Sequence, residues 1–112
     1  MALKQGTIIK VNFNPQLGHK QAGYRLAMVI SNSFFNKLSN LVMVVPITNT
    51  DRNYPTRVDL GSYGIKTAGY VICEQARTID LTARDYRVVE EVPEELINKV
   101  LQNVSALISK DD

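Results

Sequence analysis

Apolar residues in this chain recur at strand spacing until residue 92 and at helical spacing only after it. That change of period limits the fold more than any other feature. Residues 7–13 (Thr-Ile-Ile-Lys-Val-Asn-Phe) alternate, with Ile9, Val11 and Phe13 on one face and Lys10 and Asn12 on the other, which predicts a half-buried strand. Residues 25–31 are almost continuously apolar, as in a central strand covered on both faces. Residues 41–45 form a second apolar strand that runs past Pro46 to Thr48. Residues 56–60 alternate again with Val58 and Leu60 inward, residues 69–74 and 77–81 are extended segments joined through Gln75-Ala76, and residues 86–89 close the sheet. Turn residues separate these runs: Asn14-Pro15, Ser39-Asn40, the polar residues 49–55, and Gly61-Ser62-Tyr63-Gly64.

Helical signals are few. Ser31-Asn32-Ser33 offers N-caps for a short helix over residues 34–38, and residues 82–85 suit one helical turn. Pro93 fits the first position of a terminal helix whose Glu94 and Glu95 complement its dipole. Leu96, Ile97, Val100, Leu101, Val104, Leu107 and Ile108 form its apolar stripe, with Lys99, Gln102 and Asn103 opposite. The expected fold is mainly β with short helices, a small barrel or curved sheet carrying a C-terminal amphipathic helix.

With 112 residues, 45% of them hydrophobic and 21% charged, the chain fits one domain over residues 1–112. No apolar run approaches the roughly 20 residues that cross a bilayer, and the first residues lack a signal-peptide core, so a cytoplasmic protein is expected. Cys73, the single cysteine, lies in the apolar run Tyr70-Val71-Ile72-Cys73 and reads as a buried structural thiol. A net charge of +2 excludes little, because a nucleic-acid ligand requires only that arginines gather on one face.

Chemistry concentrates in Gly18-His19-Lys20-Gln21-Ala22-Gly23-Tyr24-Arg25, which holds the only histidine. One His and one Cys more than fifty positions apart give no metal-ligand spacing, and phosphate-binding glycine loops and the Gly-x-Ser-x-Gly elbow are absent. Metal-free RNA cleavage needs less. The 2′-hydroxyl is the nucleophile, so the protein must deprotonate it, neutralise the phosphorane and protonate the leaving oxygen. His19, Arg25 and Glu74 are residues of the required types. An arginine pKa above about 12 makes a poor acid, whereas bidentate binding of phosphate suits it.

Residues 14–25 (Asn-Pro-Gln-Leu-Gly-His-Lys-Gln-Ala-Gly-Tyr-Arg) resemble the "(D/N)P…GHEQ.G.RP" signature of the MazF/PemK toxin family. Val45-Pro46-Ile47-Thr48 resembles that family's next block, and residues 69–80 (Gly-Tyr-Val-Ile-Cys-Glu-Gln-Ala-Arg-Thr-Ile-Asp) resemble the third, nearest to the PemK/Kid branch. The resemblance covers almost the whole chain. It implies an SH3-like barrel of the MazF/PemK/CcdB type, a homodimer, and a type II toxin cleaving single-stranded mRNA without metal or cofactor. The implied products carry 2′,3′-cyclic phosphate and 5′-hydroxyl ends, and a cognate antitoxin blocks the RNA groove.

By the same resemblance Arg25 matches the catalytic arginine, Thr48 the phosphate-contacting threonine, and His19 a histidine that stabilises the scissile phosphate. Glu74 stands where the PemK branch has an aspartate proposed as base. Asn14, Lys20, Gln21, Arg52, Tyr54 and Arg77 are the expected RNA contacts, Arg52 by phosphate binding and Tyr54 by base stacking. Arg84 is a further candidate for the groove, or a partner in structural salt bridges. Three positions depart from the pattern: Leu26 replaces a proline, Lys20 a glutamate, and Ile72 the PemK branch's catalytic arginine, which favours an arrangement centred on Arg25 and Thr48. Two alternatives share the fold, a CcdB-like toxin that acts by binding and a non-catalytic partner-binding module. The joint presence of Arg25, Thr48 and His19 argues against the first.

Overall fold

The computed structural model describes residues 3–14 and 23–112. His19, Lys20 and Gln21, expected at the site, lie outside the described residues. The elements are β1 (Thr7–Asn12), β2 (Tyr24–Val29), α1 (Ser33–Leu38), β3 (Leu41–Thr48), β4 (Arg57–Asp59), β5 (Tyr70–Ile72), β6 (Arg77–Asp80), β7 (Tyr86–Glu91) and α2 (Glu94–Leu107). Short 3-10 turns follow β4 (Leu60–Ser62) and β5 (Cys73–Gln75). The mainly β class and the C-terminal helix are as expected. The sheet runs β4-β5-β3-β2-β1-β7 with β6 added to β3, every pair antiparallel, and among the described residues it curls like a barrel without closing.

β3 organises the sheet. On one side it pairs with β2 from Val44 to Pro46. On the other it pairs first with β6, up to Val44↔Arg77, and then with β5, from Ile47↔Val71. Pro46 lies at this change of partner, where a residue without an N–H does least harm to a ladder. The stretch from Val71 to Arg77 is longer than the β3 stretch it faces, and the 3-10 turn Cys73–Gln75 takes up the excess. Glu74 therefore sits on a turn that leaves the sheet, not on the continuous extended segment expected for residues 69–74.

Strand alternation gives the sheet two cores. Ile8, Met28, Val45, Ile47, Val58, Leu60 and Val71 pack under α2 through Leu96 and Val100. Ile9, Val11, Phe13, Ala27, Val29, Val42, Val44 and Ile79 fill the other, curled face. Three further expectations are corrected. Pro93 is the N-cap of α2, one position earlier than expected, so Glu94 opens the helix. Residues 82–85 make a turn and not a helical turn, because the Asp80 carboxylate accepts from the Thr82 N–H at 2.8 Å and organises the chain first. Asn103, assigned to the solvent side, donates to the Thr56 carbonyl at 3.2 Å, while Leu107 and Ile108 project beyond the sheet and stay exposed.

Candidate active site

Three strands deliver polar residues to the face of the second core. Arg25 lies on β2 directly opposite Val11, shares a face with buried Ala27 and Val29, and is itself exposed. Thr48, half-buried, ends β3 on the face of Val42 and Val44. Arg77 opens β6 on the face of Ile79 and extends its guanidinium over the Phe13 ring, 5.1 Å from the centroid. Phe13, the residue after β1, is buried. The face of the second core thus carries two guanidiniums and a hydroxyl beside apolar side chains.

Two glycines shape this region. Gly23, at φ +82°, begins the return into β2; its carbonyl accepts from Phe13 N at 2.8 Å, and a Cβ there would meet Asn12 Oδ1 at 2.7 Å. Gly69, at φ +116°, passes so close to β3 that a Cβ would lie 2.5 Å from the Thr48 carbonyl oxygen. Both close approaches fix the backbone that presents Arg25 and Thr48. Asn14, exposed beside Gly23, donates its N–H to Asn12 Oδ1 at 3.0 Å.

Beyond Thr48 the chain forms a polar loop, residues 49–56. The Thr48 hydroxyl oxygen accepts from Thr50 N at 3.2 Å and starts the turn. Arg52 and Tyr54 are both exposed on this loop. Glu74 faces its far end. Its Oε1 accepts from the Thr56 hydroxyl at 2.6 Å and its Oε2 from Arg57 Nε at 3.1 Å, so both carboxylate oxygens have donors. Burial raises the Glu74 pKa, but the bonds from Thr56, the backbone and Arg57 outweigh it and leave the group below its ordinary value. Arg84 turns to a structural partner instead, donating from Nη1 to the Asp80 carbonyl at 2.8 Å.

Cys73 is buried as expected, and burial pushes its thiol up to about 11, so it stays protonated at neutral pH. Sequence reasoning passed over Arg57. This residue pairs in register with Ile72, forms the single ion pair among the described residues with Glu74, and stacks over Tyr54 at 4.8 Å. Its place in an alternating strand gave one usable signal: a cation next to inward-facing Val58 and close to a polar loop.

Both the sequence and the fold have known relatives. Endoribonuclease PemK of Escherichia coli is 37% identical over 110 residues, covering 96% of this chain and 83% of that protein. The crystal structure of MazF (Form-I) from Deinococcus radiodurans superposes with a TM-score of 0.82 at 28% identity, covering 96% of this chain and 97% of that one. An endoribonuclease in complex with its cognate antitoxin from Mycobacterial species has the same fold, with a TM-score of 0.72 at 20% identity over 94% of this chain and 91% of that one. The family model for PemK-like, MazF-like toxins of type II toxin-antitoxin systems matches residues 4–108, and the chain belongs to that family.

Proposed function

We propose that this protein is a metal-independent, sequence-selective endoribonuclease, the toxin of a type II toxin–antitoxin pair. It cleaves single-stranded mRNA in the cytoplasm. The observation that carries this reading is that Arg25, Thr48 and Arg77 lie on strand positions sharing the face of the second core, with Arg77 over the Phe13 ring. The relatives named as endoribonucleases support it. In this mechanism the 2′-oxygen attacks the adjacent phosphorus and the bond to the 5′-oxygen breaks, that oxygen taking a proton from Arg25 or water, leaving a 2′,3′-cyclic phosphate and a 5′-hydroxyl. Arg25 binds the scissile phosphate and stabilises the charge that grows on its oxygens, a role for which a planar two-pronged cation is suited. Thr48 adds a hydroxyl contact, and His19 is assigned to the same phosphate. The proton leaves the 2′-hydroxyl for His19 or water. Asn14, Lys20, Gln21, Arg52 and Arg77 contact the flanking RNA.

Two partners belong to this reading. A cognate antitoxin covering the RNA groove is supported by the related complex with its antitoxin. A homodimer is supported by apolar side chains left uncovered, among them Phe34 at 75% and Ile108 at 81% exposure. Incubating the protein with mixed-sequence RNA in EDTA tests the activity. Discrete fragments ending in cyclic phosphate are expected, absent with Arg25→Ala; intact RNA at high protein concentration would sink the reading.

A further inference from the structure

Arg57 is oddly placed for a surface cation: its side chain is only 10% exposed, yet it borders the polar loop beside Thr48. It has a separate partner in each direction. Nε donates to Glu74 Oε2 at 3.1 Å, Nη1 reaches the Thr50 carbonyl at 3.4 Å, and the guanidinium plane covers one face of Tyr54. The backbone adds a fourth tie, Arg57 N to the Tyr54 carbonyl at 3.1 Å. Glu74 is held in turn by the Thr56 hydroxyl, and Thr56 by Asn103 of α2. The loop is therefore pinned at Thr50 and at residues 54–57, with Thr48 at its start. Tyr54 remains 54% exposed although Arg57 lies against the ring, which leaves its other side to solvent.

We infer that Arg57 is a positioning residue, clamped by Glu74, that fixes residues 49–56 beside Thr48 and presents the open face of Tyr54 as a platform for one base of single-stranded RNA. Glu74 then serves the site through Arg57 and does not accept the 2′-hydroxyl proton. A base must aim a free lone pair at the hydroxyl it deprotonates. Here each carboxylate oxygen already accepts from a donor, and the two bonds turn the group toward Thr56 and Arg57, on the far side of the loop from Thr48. An aromatic ring held from behind by a cation suits stacking, because its orientation is set before the base arrives. The RNA part of this inference rests on the proposed function; the clamp does not.

Two measurements test it. Hydrogen exchange, with no RNA present, should show the amides of residues 49–56 exchanging faster in Arg57→Ala and Glu74→Gln than in the wild type, and α2 unchanged. Unaltered exchange in the loop would overturn the clamp. Fluorescence anisotropy with an oligonucleotide carrying a 2′-deoxy residue at the cleaved linkage should show Arg57→Ala, Glu74→Gln and Tyr54→Ala each binding about tenfold more weakly, within the range of one base stack. Adding Arg57→Ala to Tyr54→Ala should cost little more, since the two act as one unit. With cleavable RNA at saturation these variants should keep kcat within about twofold while KM rises, and Arg57→Lys should recover part of the loss. The opposite pattern in Glu74→Gln, unchanged affinity with kcat down by about 10² or more and the acidic limb of the pH–rate profile gone, would make Glu74 the base and overturn the inference. If the wild type binds and cleaves no RNA, the function and the platform fall together, while the exchange result still decides the clamp.

Discussion

An exposed arginine near a strand end contributes little to folding, so position 25 separates chemistry from stability. Arg25→Ala should leave the unfolding free energy in urea within about 0.5 kcal/mol of the wild type while RNA cleavage falls by about 10²–10³. Gly69 is the opposite kind of residue, touching no substrate in the proposed mechanism but sitting against the Thr48 carbonyl at φ +116°. Gly69→Ala should cost about 1–3 kcal/mol in urea unfolding and reduce cleavage as well, because relief of the clash must move the end of β3. Arg25 and Thr48 stand out in the sequence because their type and spacing carry the family pattern. Arg57 does not, because its meaning depends on facing Ile72 across β4 and β5, and no linear pattern records that register.

Single elements show where linear reading stops and why. The strands around Ile9, Met28 and Val44 were readable from alternation and apolar runs, since burial acts on each strand by itself. The turn that carries Glu74 was not, because it arises from a mismatch between two ladders on the same edge of β3. Asn103 looked solvent-facing because helical spacing cannot show that α2 passes close to Thr56. The stripe itself was read correctly at its centre. Leu96→Ala, at a fully buried position, should destabilise the protein by about 2–5 kcal/mol, whereas exposed Lys99→Ala should stay within about 0.5 kcal/mol, both from chemical denaturation.

β7 carries a pH-dependent fastening. Glu90 accepts from Lys66 N at 3.1 Å, Thr67 N at 2.7 Å and the Thr67 hydroxyl at 2.5 Å. Burial opposes ionisation, but these bonds outweigh it and hold the carboxyl below its ordinary 4.5. In the folded state Glu90 and Glu74 thus keep their charge at a pH where the unfolded chain has begun to protonate. The stability they supply is complete above the unfolded value and is lost as pH falls through the folded one. Urea midpoints should decline as pH drops from about 5 to 3, with a shallower decline in Glu90→Gln; equal slopes in the two proteins would contradict this assignment.

At the scale of the whole molecule, α2 and β4–β5 cover one face of the sheet, and the other face closes on its own core, with the proposed site on that same face. Among the described residues, apolar side chains on α1 and β3 (Phe34, Leu38, Leu41 and Met43) stay partly or largely exposed. Sedimentation equilibrium should therefore give twice the chain mass at micromolar concentration, where a monomer would contradict the proposed homodimer. Neither the surface that would join two copies nor the RNA cleavage sequence could be read from residue order, since both depend on surfaces assembled from distant segments.

The central claim is that Arg25 and its neighbours cleave RNA by internal attack of the 2′-hydroxyl. Mass spectrometry of the 3′ ends formed from a defined single-stranded RNA in EDTA tests it most directly. The account predicts 2′,3′-cyclic phosphate ends from the wild type and their near-complete loss in Arg25→Ala. Intact RNA, plain 3′-hydroxyl ends, or equal cleavage by Arg25→Ala would contradict it.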